Sequence, residues 1–205
     1  MTPDRVTKNR INLTDPNKPT QERPPDPVRK RKKKGLIIVH TGNGKGKSSS
    51  AIGMVVRSAI HGFPVGVVQF IKGKWKTAEQ KLPGLFPGKI DWHVMGEGFT
   101  WDTKNRGRDV EAGTKAWEKA KEMIRSKKYR LILLDEINYA LKYEFLPLDD
   151  VLATLRKKDP NLHVILTGRD AKPELIELAD LVTEMKEIKH PYKTQGVLAQ
   201  QGIEF

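Results

Sequence analysis

GLIIVHTGNGKGKSSSA, running from Gly35 to Ala51, sets the architecture of this chain. Leu36-Ile37-Ile38-Val39 is a short apolar run, β-branched enough to read as a buried strand. Thr41-Gly42-Asn43-Gly44-Lys45-Gly46 then turns the chain, and a helix is expected to start at Lys47-Ser48-Ser49. Strand, glycine-rich turn and helix N-terminus together make a cradle for phosphate. Glycines let backbone N–H groups curl around an anion, and the helix dipole favours negative charge at its start. At this spacing Lys47 reaches the phosphates and the hydroxyl of Ser48 ligates Mg²⁺.

The loop departs from the regular phosphate-binding pattern in one place. That pattern has a glycine with four residues between it and Gly46-Lys47-Ser48; Thr41 fills the position, and Gly42 comes one place later. A glycine-rich turn without function would have to place an extended apolar run before it and Gly-Lys-Ser at a helix start by accident. Lys45 is a second lysine inside the loop, and two loop lysines suit a highly charged ligand such as an intact triphosphate.

The 205 residues suit one domain with a sizeable core. There is no cysteine, so neither a disulfide framework nor a thiolate metal site is available, and a reducing cytoplasm is the expected setting. No apolar run approaches the roughly 20 residues of a membrane span, and Leu36–Val39 is too short for the apolar part of a signal peptide. The net charge of +13 invites a nucleic-acid reading, but its distribution weakens it. Residues 1–34 hold 11 Lys/Arg against 4 Asp/Glu, more than half the excess. They also contain six prolines and few apolar residues, so they are expected to form a basic tail, disordered or draped over a domain at 35–205. Arg29 to Lys34, RKRKKK, reads as a solvated linker that raises the potential beside the phosphate site, and no specific nucleic-acid partner is expected.

Beyond the loop, strands alternate with helices. A helix is expected over Lys47–His61, ended by Gly62-Phe63-Pro64, then strands at Val65–Ile71 and Ile90–Met95 and a long helix at Arg108–Lys127. A strand from Tyr129 ends in Asp135-Glu136; a helix over Leu148–Lys158, a strand over His163–Thr167, a helix over Pro173–Leu178 and a strand over Leu181–Met185 follow. The tail from Lys189 to Phe205 reads as loop. This order predicts a three-layer α/β fold with a parallel sheet and right-handed crossovers, the P-loop NTPase (RecA-like) class.

Four apolar residues, Leu131-Ile132-Leu133-Leu134, deliver Asp135 to the carboxyl edge of that sheet, where phosphate-loop proteins use such an Asp to hold Mg²⁺ directly or through water. Glu136 could orient a water or serve the metal shell. These residues support an ATP-binding domain and leave its reaction open among a hydrolase or motor ATPase, a small-molecule kinase and a basic nucleic-acid-binding ATPase.

TGNGKGKSS (Thr41–Ser49), VGVVQFIKG (Val65–Gly73), GFTWDT (Gly98–Thr103), LLDE (Leu133–Glu136) and TGR (Thr167–Arg169) occur in this order, closed by KH…GV…AQ…GIEF. From about Lys34 to Phe205 the chain resembles the phosphate-loop ATP:corrinoid adenosyltransferases of bacterial cobalamin synthesis and salvage. GNGKGK with GFTW is far more specific than the phosphate loop alone. The resemblance implies that ATP is a cosubstrate with Mg²⁺ (or Mn²⁺), that a Co(I) corrinoid attacks the 5′ carbon of its ribose, and that intact triphosphate leaves. It implies nucleotide binding by Thr41, Gly42, Asn43, Gly44, Lys45, Gly46, Lys47, Ser48, Ser49 and Arg169, the nucleotide lying reversed in the loop. It assigns the metal to Ser48, Asp135 and Glu136, and catalysis to Lys45, Lys47, Glu136, Phe99 and Trp101. Phe99 and Trp101 would form a corrinoid wall that displaces the lower axial ligand of Co(II) and eases its reduction. The corrinoid would be cobalamin or a precursor, the electron donor a protein such as a reduced flavoprotein, and the enzyme a homodimer without membrane association. Ser48 and Ser49 stand where the family commonly has Thr, and Leu198 where a lysine is usual.

Overall fold

Six strands, β1 (Ile37–Thr41), β2 (Val65–Gln69), β3 (Ile90–Val94), β4 (Leu131–Asp135), β5 (His163–Thr167) and β6 (Leu181–Glu184), form one sheet in the order β3-β2-β4-β5-β1-β6. Every pairing is parallel. The computed structural model describes residues 32–71, 77–95 and 105–204, and the chain from Lys33 onward forms one unit.

Parallel neighbours cannot be joined by a hairpin, so each connection must cross a face of the sheet. The helices α1 (Lys47–Ile60), α2 (Leu82–Leu85), α3 (Arg106–Arg125), α4 (Ile137–Lys142), α5 (Leu148–Arg156), α6 (Pro173–Leu178) and α7 (Pro191–Gln195) follow the strands, with a 3₁₀ turn at Ala78–Lys81. Alternation along the strands divides the core in two. Ile38, Val67, Leu133 and Ile165 join Ala51, Ile52, Val55 and Ala59 of α1. Val39, Val68, Leu134 and Leu166 point the other way, into a cluster with Trp117, Ala120 and Met123 of α3, Leu141 of α4 and Leu155 of α5. A near-continuous apolar run is what a strand covered on both faces requires. The predicted three-layer architecture is therefore the observed one.

The expected elements at His163–Thr167 and Pro173–Leu178 keep their bounds, and the other strands and long helices shift or shorten by one to two residues. β1 runs on to Thr41 because β5 and β6 pair with it on both sides up to His40 and Thr41. α4, α2 and α7 have no counterpart in the sequence reading; with four to six residues each, they are too short to display a helical period. The tail expected as loop holds α7, started by the His190 side chain accepting from Tyr192 N and stopped by Gly196 at φ +67°. Among the described residues, no helix is long and apolar enough to cross a membrane.

Candidate functional site

The carboxyl ends of β1, β4 and β5 meet where the glycine-rich loop leaves the sheet. Gly42 and Gly46 have φ of +93° and +109°, a region that L side chains rarely adopt, and these two positions wind the loop back toward α1. Gly44 N–H donates to Met185 O at 2.6 Å, so the loop rests on the backbone just after β6. A Cβ at Gly44 would lie 2.8 Å from that oxygen, so a side chain there would force the backbone apart. Thr41, buried in place of the usual glycine, accepts from Ala171 N at 3.1 Å and ties the loop to the segment after β5. No side chain among the described residues caps the N-terminus of α1. Its first amides are thus placed to meet an anion.

Lys47 is buried, and its Nζ donates to Gly42 O at 2.8 Å and Gly44 O at 2.7 Å. The lysine spans the mouth of the loop. Burial holds its pKa below the ordinary lysine value; Arg169 and Lys45 push the same way, and Glu136 and Asp170 oppose them. These influences put both Arg169 and Glu136 within electrostatic reach of the loop. Lys45 is half exposed and pairs with Glu204 near the end of the chain. Asn43, Ser49 and Arg169 are exposed.

Strand periodicity explains the rest of the site. Residues two apart share a face, so Asp135, Gln69, Thr167 and His40 all lie on the α1 side, in line with Leu133, Val67, Ile165 and Ile38. Asp135 is fully buried, and among the described residues three side chains donate to it. Ser48 Oγ and Thr167 Oγ1 each reach Oδ1 at 2.8 Å, and Gln69 Nε2 reaches Oδ2 at 3.0 Å. A buried carboxylate is tolerable only with such partners. The Thr167 hydroxyl also accepts from Glu136 N at 2.9 Å, holding Glu136 in its left-handed conformation at φ +63°. On the far side of Gln69, Trp92 Nε1 donates to Oε1 at 3.0 Å. His40 Nδ1 lies 2.9 Å from Ser50 Oγ and anchors the first turn of α1 to β1.

The structure brings Lys45, Lys47, Ser48, Asp135, Glu136 and Arg169 to one edge of the sheet. Phe99 and Trp101 lie outside the described residues. Gln69, Trp92, Thr167, His40 and Glu204 belong to the site and were not assigned by sequence. Gln69 and Thr167 carried a signal, each a polar residue closing an apolar strand at the carboxyl edge. Glu204 carried none, since its pairing with Lys45 spans most of the chain.

Mg²⁺ takes hard oxygen ligands, and beside nucleotides it usually uses one or two side chains plus phosphate oxygens and water. Ser48 Oγ and Asp135 Oδ1 form such a pair of donors at the foot of the loop. Among the described residues, no group of three or more His, Cys, Asp or Glu could hold a metal alone. The site fits a metal carried in with phosphates.

The chain matches the family model described as ATP:corrinoid adenosyltransferase BtuR/CobO/CobP over residues 33–205. It is 52% identical over 178 residues to a corrinoid adenosyltransferase of Sinorhizobium sp, covering 86% of this chain and 83% of that one. A corrinoid adenosyltransferase of Pseudomonas aeruginosa is 50% identical over 175 residues, covering 85% and 86%. One of Escherichia coli K12 is 44% identical over 172 residues, covering 84% and 86%. The flagellar accessory protein FlaH from Methanocaldococcus jannaschii, a solved structure, aligns at TM-score 0.49 and 16% identity over 73% of this chain and 70% of that one.

Proposed function

This chain belongs to the ATP:corrinoid adenosyltransferase family and transfers the adenosyl group of ATP to a corrinoid, and we propose that its phosphate loop grips the whole triphosphate as the leaving group of that transfer. The observation that carries the reading is the convergence of Lys47, Lys45 and the uncapped start of α1 on a loop whose foot is the Ser48–Asp135 pair. The Co(I) centre of the corrinoid attacks C5′ of the ribose, a Co–C bond forms, and the C5′–O bond breaks. The electron pair leaves on the triphosphate oxygen.

Charge developing on a triphosphate is stabilised by fixed donors and cations aimed at it before reaction. Lys47 answers that need because its position is fixed by two carbonyls of the loop. Lys45 supplies a second positive charge from the exposed side, and Arg169 a third. Ser48 and Asp135 would hold Mg²⁺ (or Mn²⁺), with Glu136 in its outer shell; the metal, when bound, neutralises phosphate charge. Since the attacking atom is cobalt rather than water, Glu136 has no proton to remove, and its role is electrostatic.

Phe99 and Trp101 are assigned to the corrinoid side, where two aromatic rings would exclude the lower axial ligand and water. β3 supports this placement, because it ends at Val94 on the carboxyl edge, just before the stretch that carries them. An electron donor such as a reduced flavoprotein, a homodimeric state and a cytoplasmic setting complete the reading by family likeness.

The test is competition. Inorganic triphosphate should displace ATP far better than diphosphate or phosphate does, and Lys47→Ala should abolish that preference while leaving the fold intact. Triphosphate binding no tighter than phosphate would remove the leaving-group role.

A further inference from the structure

We propose that Gln69 and Trp92 are positioning residues for Asp135: the Trp92 indole N–H selects which end of the Gln69 amide faces the carboxylate, and so fixes Asp135 for its metal. The inference rests on the reading that Asp135 serves the metal bound with the triphosphate.

Gln69 is the one polar side chain of β2, is 1% exposed, and stands among Val67, Val68 and Phe70. An aliphatic residue would suit that site better, since a buried amide is unfavourable unless both its ends are hydrogen-bonded. Both are bonded here. Gln69 pairs with Asp135 across β2 and β4, and its Nε2 donates to Asp135 Oδ2 at 3.0 Å. Trp92 pairs with Val67 across β2 and β3, on the same face two residues back, and from there its Nε1 reaches Gln69 Oε1 at 3.0 Å.

An amide is nearly symmetric in shape and opposite in function at its two ends. Flipped, Gln69 would set its carbonyl oxygen against the carboxylate of Asp135, oxygen against oxygen. Indole N–H donates and never accepts, so Trp92 can face only Oε1. The amino end is thereby committed to Asp135. Oδ2 is held by Gln69 and Oδ1 by Ser48 and Thr167, which fixes the plane of the carboxylate beside the Ser48 hydroxyl. A ligand that must be oriented to bind a metal depends on partners of this kind.

Trp92 packs partly buried against the α1-side core, and phenylalanine keeps most of that packing while removing the N–H. The experiment measures Mn²⁺ affinity in the presence of inorganic triphosphate by electron paramagnetic resonance, with no corrinoid present, alongside the melting temperature of each metal-free protein. Trp92→Phe should weaken Mn²⁺ binding by about two- to tenfold, the range of one neutral hydrogen bond. Gln69→Leu should weaken it at least as much, and Trp92→Phe added to Gln69→Leu should weaken it no further. Gln69→Glu, which keeps the shape and turns a carboxylate on Asp135, should bind more weakly than Gln69→Leu. Parent affinity in Trp92→Phe, or the same factor of loss with and without Gln69, overturns the proposal. If Trp92→Phe does not fold, parent affinity in Gln69→Leu and Gln69→Glu does so. Asp135→Asn separates the two readings. If it leaves Mn²⁺ affinity unchanged, the metal assignment of Asp135 fails; if it weakens binding while Trp92→Phe does not, only the positioning role fails.

Discussion

Thr167→Val is the substitution that most sharply probes how the site is built. Valine matches threonine in shape, so packing at this fully buried position is preserved and only the hydroxyl is lost. That hydroxyl donates to Asp135 at 2.8 Å and accepts from Glu136 N at 2.9 Å. Losing a hydrogen bond to a charged group costs about 1.5–3 kcal/mol, and the part-buried Glu136 N–H, losing this acceptor, adds a smaller cost. Neighbouring effects do not add fully, so a total of about 3 kcal/mol is the reasonable expectation. For a chain of this size that lowers the melting temperature by roughly 6–12 °C. Thr167→Ser keeps the hydroxyl, loses one methyl, and should cost about 1 kcal/mol. Thermal unfolding of the three proteins, with a Mg²⁺ titration of ATP binding, reads both consequences. Thr167→Val should also need more Mg²⁺ than Thr167→Ser, because Asp135 Oδ1 has lost the Thr167 donor. A Thr167→Val protein that melts within about 2 °C of the parent, with the same Mg²⁺ requirement, would refute the reasoning.

Lys45→Ala should impair turnover severely, whereas Glu204→Gln, which removes the carboxylate competing for Lys45, should tighten ATP binding by about two- to fivefold, as expected for one exposed ion pair; near-normal turnover in Lys45→Ala would end its triphosphate role. Phe99→Ala and Trp101→Ala should lose most activity when assayed from Co(II) with a mild reductant and much less from pre-formed Co(I); equal losses in the two assays would make the rings general contacts. Lys47 gives a pH signature. Its pKa is lowered by burial, so its charged form is penalised in the folded state at neutral pH, and the penalty is relieved as pH rises from that lowered value to the ordinary 10.5. Unfolding measured against pH should therefore show the parent gaining stability over Lys47→Met in that alkaline window, while Mg²⁺·ATP affinity falls as the charge is lost; parallel stability curves would contradict the sign.

Much of the fold was legible because strands buried on both faces leave unbroken apolar runs, and because the loop announces a strand before it and a helix after it. Leu131–Leu134 ending in Asp135 located β4 and its carboxylate together. The order of strands across the sheet, by contrast, depends on which crossover skips which neighbour, and sequence patterns do not record that. The site divided along the same line. Lys47, Ser48 and Asp135 stand at motif positions, so spacing alone pointed to them, and the structure places them together at one edge of the sheet. Gln69 and Thr167 touch Asp135 across strands that are distant in sequence, Trp92 reaches it only through Gln69, and each has a residue type that is unremarkable alone. Glu204 reaches Lys45 only because the segment after α7 returns to the loop.

The most direct test of the central claim is the fate of the phosphates. With ATP, Mg²⁺ and a chemically reduced corrinoid, phosphorus NMR and the absorption spectrum of the corrinoid should show one intact triphosphate released for each adenosylated corrinoid formed. ADP with phosphate, appearing without a new Co–C bond, would contradict it.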